Sequence, residues 1–173
     1  TVLDSDCELN ILTAKDEKGL AVLRHTASHV LAQAVKRLYP EAKLAIGPAI
    51  EEGFYYDFDM APLTREDLDA IEKEMKKVIK ENPPIERYEL PREEAITFMK
   101  EKEEPYKVEL IEDLPEDATI SFYKQGDFTD LCAGPHLMSV KPIKAFKLTA
   151  SSGAYWRGNE NNKMLTRIYG TAY

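Results

Sequence analysis

The sequence predicts an α+β fold: an antiparallel sheet with packed helices, the long first helix lining a cleft. Three observations lead there. Helix-periodic and strand-alternating segments come in blocks; glycine-marked turns join neighbouring strands as hairpins, not as regular strand-helix-strand units; and an apolar helical repeat runs unbroken over residues 18–38.

The elements follow in chain order. "CELNILTAKD" reads as a short strand leading out of something that precedes it, since Leu9, Ile11 and Leu12 have too little chain before them to build a domain. Asp16 offers an N-cap, and Leu20, Leu23, Ala27, Val30, Leu31, Ala34 and Leu38 then recur at helical spacing until Pro40 stops the run. His25 and His29 fall nearly opposite that stripe, on a second face with Ala21, Val22 and Ala32 that suits the wall of a cleft. "KLAIGPAIEEGFYYDFDM" reads as a strand, turns at Gly47-Pro48 and Glu52-Gly53, and a second strand with Phe54, Tyr56 and Phe58. "LTREDLDAIEKEMKKVIKEN" is the clearest helix: Thr64 caps it with Asp67 three residues on, Leu68, Ile71, Met75, Val78 and Ile79 point inward, and its charges form a solvated face. Pro83-Pro84 breaks the chain, "IERYEL" is a strand, and Pro91 opens a short helix. "PYKVELIEDL" is compatible with helix or strand, and Pro105 in a first turn favours helix. Strand pairs follow around Gly126 and over "IKAFKLT" and "KMLTRIYG".

Composition narrows the function. The 173 residues suffice for one good core, or a domain with an appended fragment. No apolar run reaches the roughly 18 to 20 residues of a bilayer helix, and the acidic start is unlike a signal peptide, so a cytosolic protein without membrane partners is expected. Cys7 and Cys132 are expected to be reduced thiols. A net charge of -8 excludes non-specific coating of nucleic acid. From Leu137 onward, however, six basic residues face one acid, which leaves open either a directed polyanion contact or a solvated basic surface.

The three histidines and Cys132 raise the main question. His25 and His29 are spaced to project from one helix face, while His136 lies four residues after Cys132, with Asp130 two residues before it. Thr26 stands where H-E-x-x-H proteases carry their glutamate, which removes that reading. One thiolate and three imidazoles can hold zinc, though not as one of the common structural sets. A metal cage, a catalytic cluster and four unrelated residues all remain open at this point.

"RHTASHVLAQAV", "AIGPAIEEGFYYDF", "PYKVELI", "FTDLCAGPH" and "FKLTASSGAYWRGNENNKMLTRIYGTAY", in that order, resemble along nearly the whole chain the second N-terminal domain of the threonyl-tRNA synthetases, an editing domain shared in outline with the alanyl enzymes. The resemblance implies that residues 1–15 end a preceding β-grasp-like module, that 16–173 are the editing domain, and that 164–173 lead toward an aminoacylation core not contained in the chain. It implies hydrolysis of the ester in mischarged seryl-tRNA(Thr). Its partners would be the acceptor end of tRNA(Thr) carrying serine and the remainder of the synthetase chain. The full-length protein, a homodimer in the family, would ligate threonine to tRNA(Thr) with ATP, and this chain alone would not.

By the same resemblance His25 holds the ribose hydroxyl or acts as base toward water, and His29 completes that wall. Lys107 helps to activate water or stabilises the oxyanion, and Asp130 orients Lys107 or the substrate amine. Cys132 and His136 close the pocket opposite the first helix. Tyr56, Gly47 and Pro48 either shape a serine pocket or are simply hairpin core and turn; Trp156 and Arg157 either stack the terminal adenine and touch phosphate, or pack. No metal is required for editing on this view, while His25, His29, Cys132 and His136 keep the ligand chemistry for Zn2+. Two other functions fit these residues: a non-catalytic zinc-held RNA-binding module, and a free-standing deacylase editing in trans.

Overall fold

A computed structural model describes residues 17–132, 136–137, 140–143 and 145–172, so the expected strand and module before Asp16, and Cys7, lie outside the described residues. The elements are helices α1 (Glu17–Leu38), α2 (Arg65–Glu81), α3 (Arg92–Glu101) and α4 (Pro105–Glu112), and strands β1 (Lys43–Leu44), β2 (Ala49–Ile50), β3 (Gly53–Asp59), β4 (Ile85–Glu89), β5 (Ser121–Gln125), β6 (Phe128–Leu131), β7 (Phe146–Tyr155) and β8 (Met164–Ala172). Among the described residues all strand pairs are antiparallel, and the architecture is α+β.

The strands divide into two sheets instead of the one expected. The larger has the order β1-β3-β8-β7, with β2 also paired to β3, and the smaller has the order β4-β5-β6. Phe54, Tyr56 and Phe58 alternate onto the inner face of β3 and pack with α1 and α2, where Leu68, Ile71, Met75 and Val78 supply the stripe of α2. The smaller sheet carries its own core with α3 and α4 through Ala95, Met99, Ile111 and Phe122.

Local chemistry accounts for the boundaries. Thr64 and Asp67 form a reciprocal capping box at the start of α2, and Asn82 closes its end at φ 48°, just before the two prolines. Pro105 occupies the first turn of α4, where its missing N–H costs nothing. Gly126 turns β5 into β6 at φ +62°, a conformation that favours glycine.

Three expectations need correction. Leu38 closes α1 exposed, because the buried part of the helix ends at Val35. The charged face of α2 is not all solvated: Glu72 is buried, accepting the Leu148 N–H at 2.7 Å and pairing with Lys147, which ties α2 to β7. β7 starts later than "IKAFKLT" and runs on through Tyr155; its polar residues pair with β8 across an irregularity between Leu148 and Ala150. The strand expected over "KMLTRIYG" is β8, held between β3 and β7.

Candidate functional site

From Leu23 to Val35 every residue of α1 is buried except His25, which is half-buried. The helix is therefore covered all round, not on one stripe, and its second side is sealed by distant segments. Ser28 Oγ donates to the carbonyl of Gly47 at 2.8 Å, Gln125 Nε2 donates to Gln33 Oε1 at 2.7 Å, and Phe128 stands edge-on to His29. His136 and Leu137 close over it after Cys132.

That closure brings the three histidines and Cys132 together. Cys132 Sγ lies 3.3 Å from His25 Nε2 and 3.1 Å from His136 Nε2. The His136 ring stacks on His25 with centroids 4.1 Å apart and lies 4.2 Å from His29. His29 is 4% exposed, whereas His25, Cys132 and His136 are half-buried and keep access to solvent.

A second, drier layer lies behind them. Asp130 projects from β6 and receives the Tyr56 hydroxyl proton at Oδ2, 2.5 Å away, with His29 Nε2 3.5 Å from the same oxygen. Its Oδ1 lies 2.8 Å from the Lys107 ammonium, off a hydrogen-bonding direction, and makes no hydrogen bond among the described residues. Lys107 and Asp130 are both almost fully enclosed. Lys107 also stands in the first turn of α4, where the helix dipole disfavours a cation, so Asp130 is what makes the position tolerable. Glu104, preceding α4, accepts the Leu44 N–H at 2.7 Å and the Lys36 ammonium at 3.0 Å, and so anchors α4 to β1.

Gly47 and Pro48 stand beside this layer. A Cβ on Gly47 would lie 2.1 Å from Tyr56 Cδ2, so the turn rests directly on the ring face. Trp156 and Arg157 are not brought to the cluster. The Trp156 indole is buried against Ala45 and Leu165, edge-on to Tyr106, with its N–H donated to Glu109, and a base could stack on it only if that packing opened. Arg157 pairs with Glu109 and Asp113 on the same side of α4. A separate cavity of about 250 Å³ lies at the C-terminal end of α1, lined by Gln33, Lys36, Leu44, Glu104 and Phe128, and does not include the cluster.

Electrostatics hold the interior neutral. Burial, reinforced by the charges of His25 and Lys107, keeps His29 well below the ordinary 6.5, and burial with His29 and His25 does the same to His136 against the opposing pull of Asp130. Burial first, then Asp130, lifts the Tyr56 hydroxyl well above 10, so it remains a donor. The two depressed imidazoles set a pH dependence. The unfolded chain binds protons on them near 6.5 while the folded chain does not, so stability is complete above about pH 7.5 and falls as the pH drops through 6.5. Each ring contributes about 1.4 kcal/mol per pH unit in that window. Urea unfolding at pH 7.5 and 5.5 is expected to show the loss, and His29→Gln to reduce it.

The four donors lie within 4.8 Å of one another and could hold a metal ion. For zinc at about 2.0–2.3 Å from nitrogen and sulfur, neighbouring donors stand roughly 3.3–3.6 Å apart, so the set fits with small side-chain movements.

Thr26, Ser28 and Glu104 are contributors that sequence reasoning missed. The signal was the pair of hydroxyls inside "HTASH": a buried Thr or Ser on a helix covered all round must have a partner elsewhere.

The family model of the Threonyl and Alanyl tRNA synthetase second additional domain matches residues 120–169, which contain Asp130, Cys132 and His136 but not the α1 histidines. Along essentially the whole chain, the sequence is 69% identical to the threonine–tRNA ligase of Acetivibrio thermocellus, 68% to that of Clostridium acetobutylicum and 65% to that of Clostridioides difficile. It covers 99%, 100% and 99% of this chain in those matches, and the chain spans 27% of the length of each of these relatives. With α1 and the segment that follows β6 bringing four donors into one site, and this identity running end to end, the chain corresponds to one segment of the threonine–tRNA ligases, and its residues 120–169 match the second additional domain of the threonyl and alanyl enzymes.

Proposed function

We propose that the chain is the editing module of a threonine–tRNA ligase and hydrolyses the ester between serine and the terminal ribose of tRNA(Thr). The supporting observation is the convergence of His25, Cys132 and His136 at a solvent-accessible edge, backed by the enclosed His29, Asp130, Lys107 and Tyr56. The chemical need is plain. A site built for threonine loses only a methyl contact with serine, worth about 1 to 3 kcal/mol, so a second site must remove the error. A tight wall can refuse the larger side chain, since overpacking by a methyl costs about 1 to 3 kcal/mol. Tyr56 with the Gly47-Pro48 turn offers such a wall.

His25, half-buried with access to solvent, takes a proton from water as the water oxygen bonds to the ester carbonyl carbon. The C–O bond to the ribose then breaks, and the proton passes to the ribose oxygen, leaving free serine and the tRNA hydroxyl. The Lys107 ammonium sets the positive field in which the oxyanion forms, and Asp130 holds it there. The full-length ligase would charge tRNA(Thr) with threonine and ATP in the cytoplasm, as a homodimer, with the rest of its chain as this module's partner.

Incubation with seryl- and threonyl-tRNA(Thr), with and without chelator, tests this reading. Serine is expected to be released and threonine retained, whether or not chelator is present. Equal release of both, or none, overturns it. The metal-capable donor set favours one alternative, a zinc-held RNA module, which would unfold in chelator and turn nothing over.

A further inference from the structure

Thr26 stands between the two α1 histidines in sequence and is 0% exposed. Its Oγ accepts the Leu137 N–H at 2.9 Å and lies 3.1 Å from His136 Nδ1. The hydroxyl carries one proton of its own. The Thr97 hydroxyl donates to the Glu93 carbonyl within its helix, and the Ser28 hydroxyl has the His25 carbonyl at 2.6 Å beside that of Gly47, but Thr26 has no such bond among the described residues. Among the described residues the one acceptor within its reach is His136 Nδ1. A buried hydroxyl whose proton finds no acceptor is costly, so the proton goes to Nδ1 and that nitrogen carries none. The neutral ring then bears its proton on Nε2, 3.1 Å from Cys132 Sγ.

We infer that Thr26 is a positioning residue for the hydrolysis: through Leu137 it pins the loop after Cys132 to α1, and through Nδ1 it fixes His136 as the Nε2–H tautomer. His136 is thereby a hydrogen-bond donor into the site and not its base. The sulfur receives that N–H and faces His25 Nε2 at 3.3 Å on its other side, which leaves proton abstraction to His25. The same tautomer opposes metal binding at His136, because a metal on Nε2 needs the lone pair that the proton occupies, and the Thr26 hydroxyl would have to turn away first. The consequence for hydrolysis rests on the deacylase reading, whereas the tautomer does not.

Long-range nitrogen–proton NMR correlation on the histidine-labelled chain near pH 8 tests the tautomer directly. His136 is expected to show an unprotonated Nδ1 and a protonated Nε2 in the parent chain and in Thr26→Ser, and mixed tautomers in Thr26→Val. In seryl-tRNA hydrolysis, Thr26→Val is expected to lower kcat by roughly 10 to 100-fold with little change in KM, and Thr26→Ser to restore it. A protonated Nδ1 in the parent, or a Thr26→Val chain with the parent's spectrum and rate, overturns the inference. The parent spectrum decides the tautomer even if Thr26→Val fails to fold. Absence of serine release by the parent chain would remove the deacylase reading and leave the tautomer to be read by itself.

Discussion

Replacing Lys107 with methionine is expected to cost about 3–5 kcal/mol of stability, because it leaves the Asp130 carboxylate enclosed without its cation. For a domain of this size that lowers Tm by roughly 6–20 °C. Asp130 cannot turn to solvent, since Tyr56 binds its other oxygen at 2.5 Å. Pairing Lys107→Met with Asp130→Asn is expected to recover much of the loss, the mark of an uncompensated charge and not of lost packing. A pH signature follows. Lys107 is one of the charges that keep His29 neutral, so its removal lets His29, 3.5 Å from Asp130 Oδ2, take a proton more readily. The destabilisation in Lys107→Met should therefore shrink toward acidic pH, as that imidazolium replaces the missing ammonium. Serine release at pH 7.5 should drop by about 10²-fold or more. Thermal melts across pH and the deacylation rate check both outcomes, and a melting point unchanged at every pH would show that the buried pair contributes nothing.

Gly47→Ala is the second large effect. The added methyl would meet Tyr56 Cδ2 at 2.1 Å and both Cγ and Cε2 at 2.7 Å. The ring has nowhere to yield: it is fully buried, stacked on Phe58 with centroids 4.8 Å apart, and tied to Asp130. Either the turn lifts, straining the bond from Ser28 to the Gly47 carbonyl, or the ring moves and releases Asp130. Overpacking of this kind costs about 1–3 kcal/mol, and a shift of about 1 Å in the wall should lower serine release by roughly 10²-fold.

Much of this molecule could be read in its residues. The bounds of α2 follow from a capping box and an Asn before Pro-Pro, and the β5–β6 hairpin from a single glycine, because these signals act within a few residues. The spacing of His25 to His29 and of Cys132 to His136 marked both halves of the site, while only the family resemblance singled out Lys107. What could not be read depends on neighbours distant in sequence. Along β7 only Leu148 is fully buried, so "ASSGAY" carries no alternation and takes its strand form from β8. The burial of α1 on all sides comes from Gly47, Gln125 and the loop at Leu137, which its own periodicity does not encode. The contacts of Thr26 could not be foreseen for that reason, its partners lying more than 100 residues away.

The placement of β8 sets an order of events at the ribosome. The strand completed last among those described lies between β3 and β7, so both wait on it for a hydrogen-bonding edge. Until Ala172 clears the exit tunnel, the wall that carries Tyr56 has no partner along that side, and the nascent polypeptide cannot assemble the enclosure.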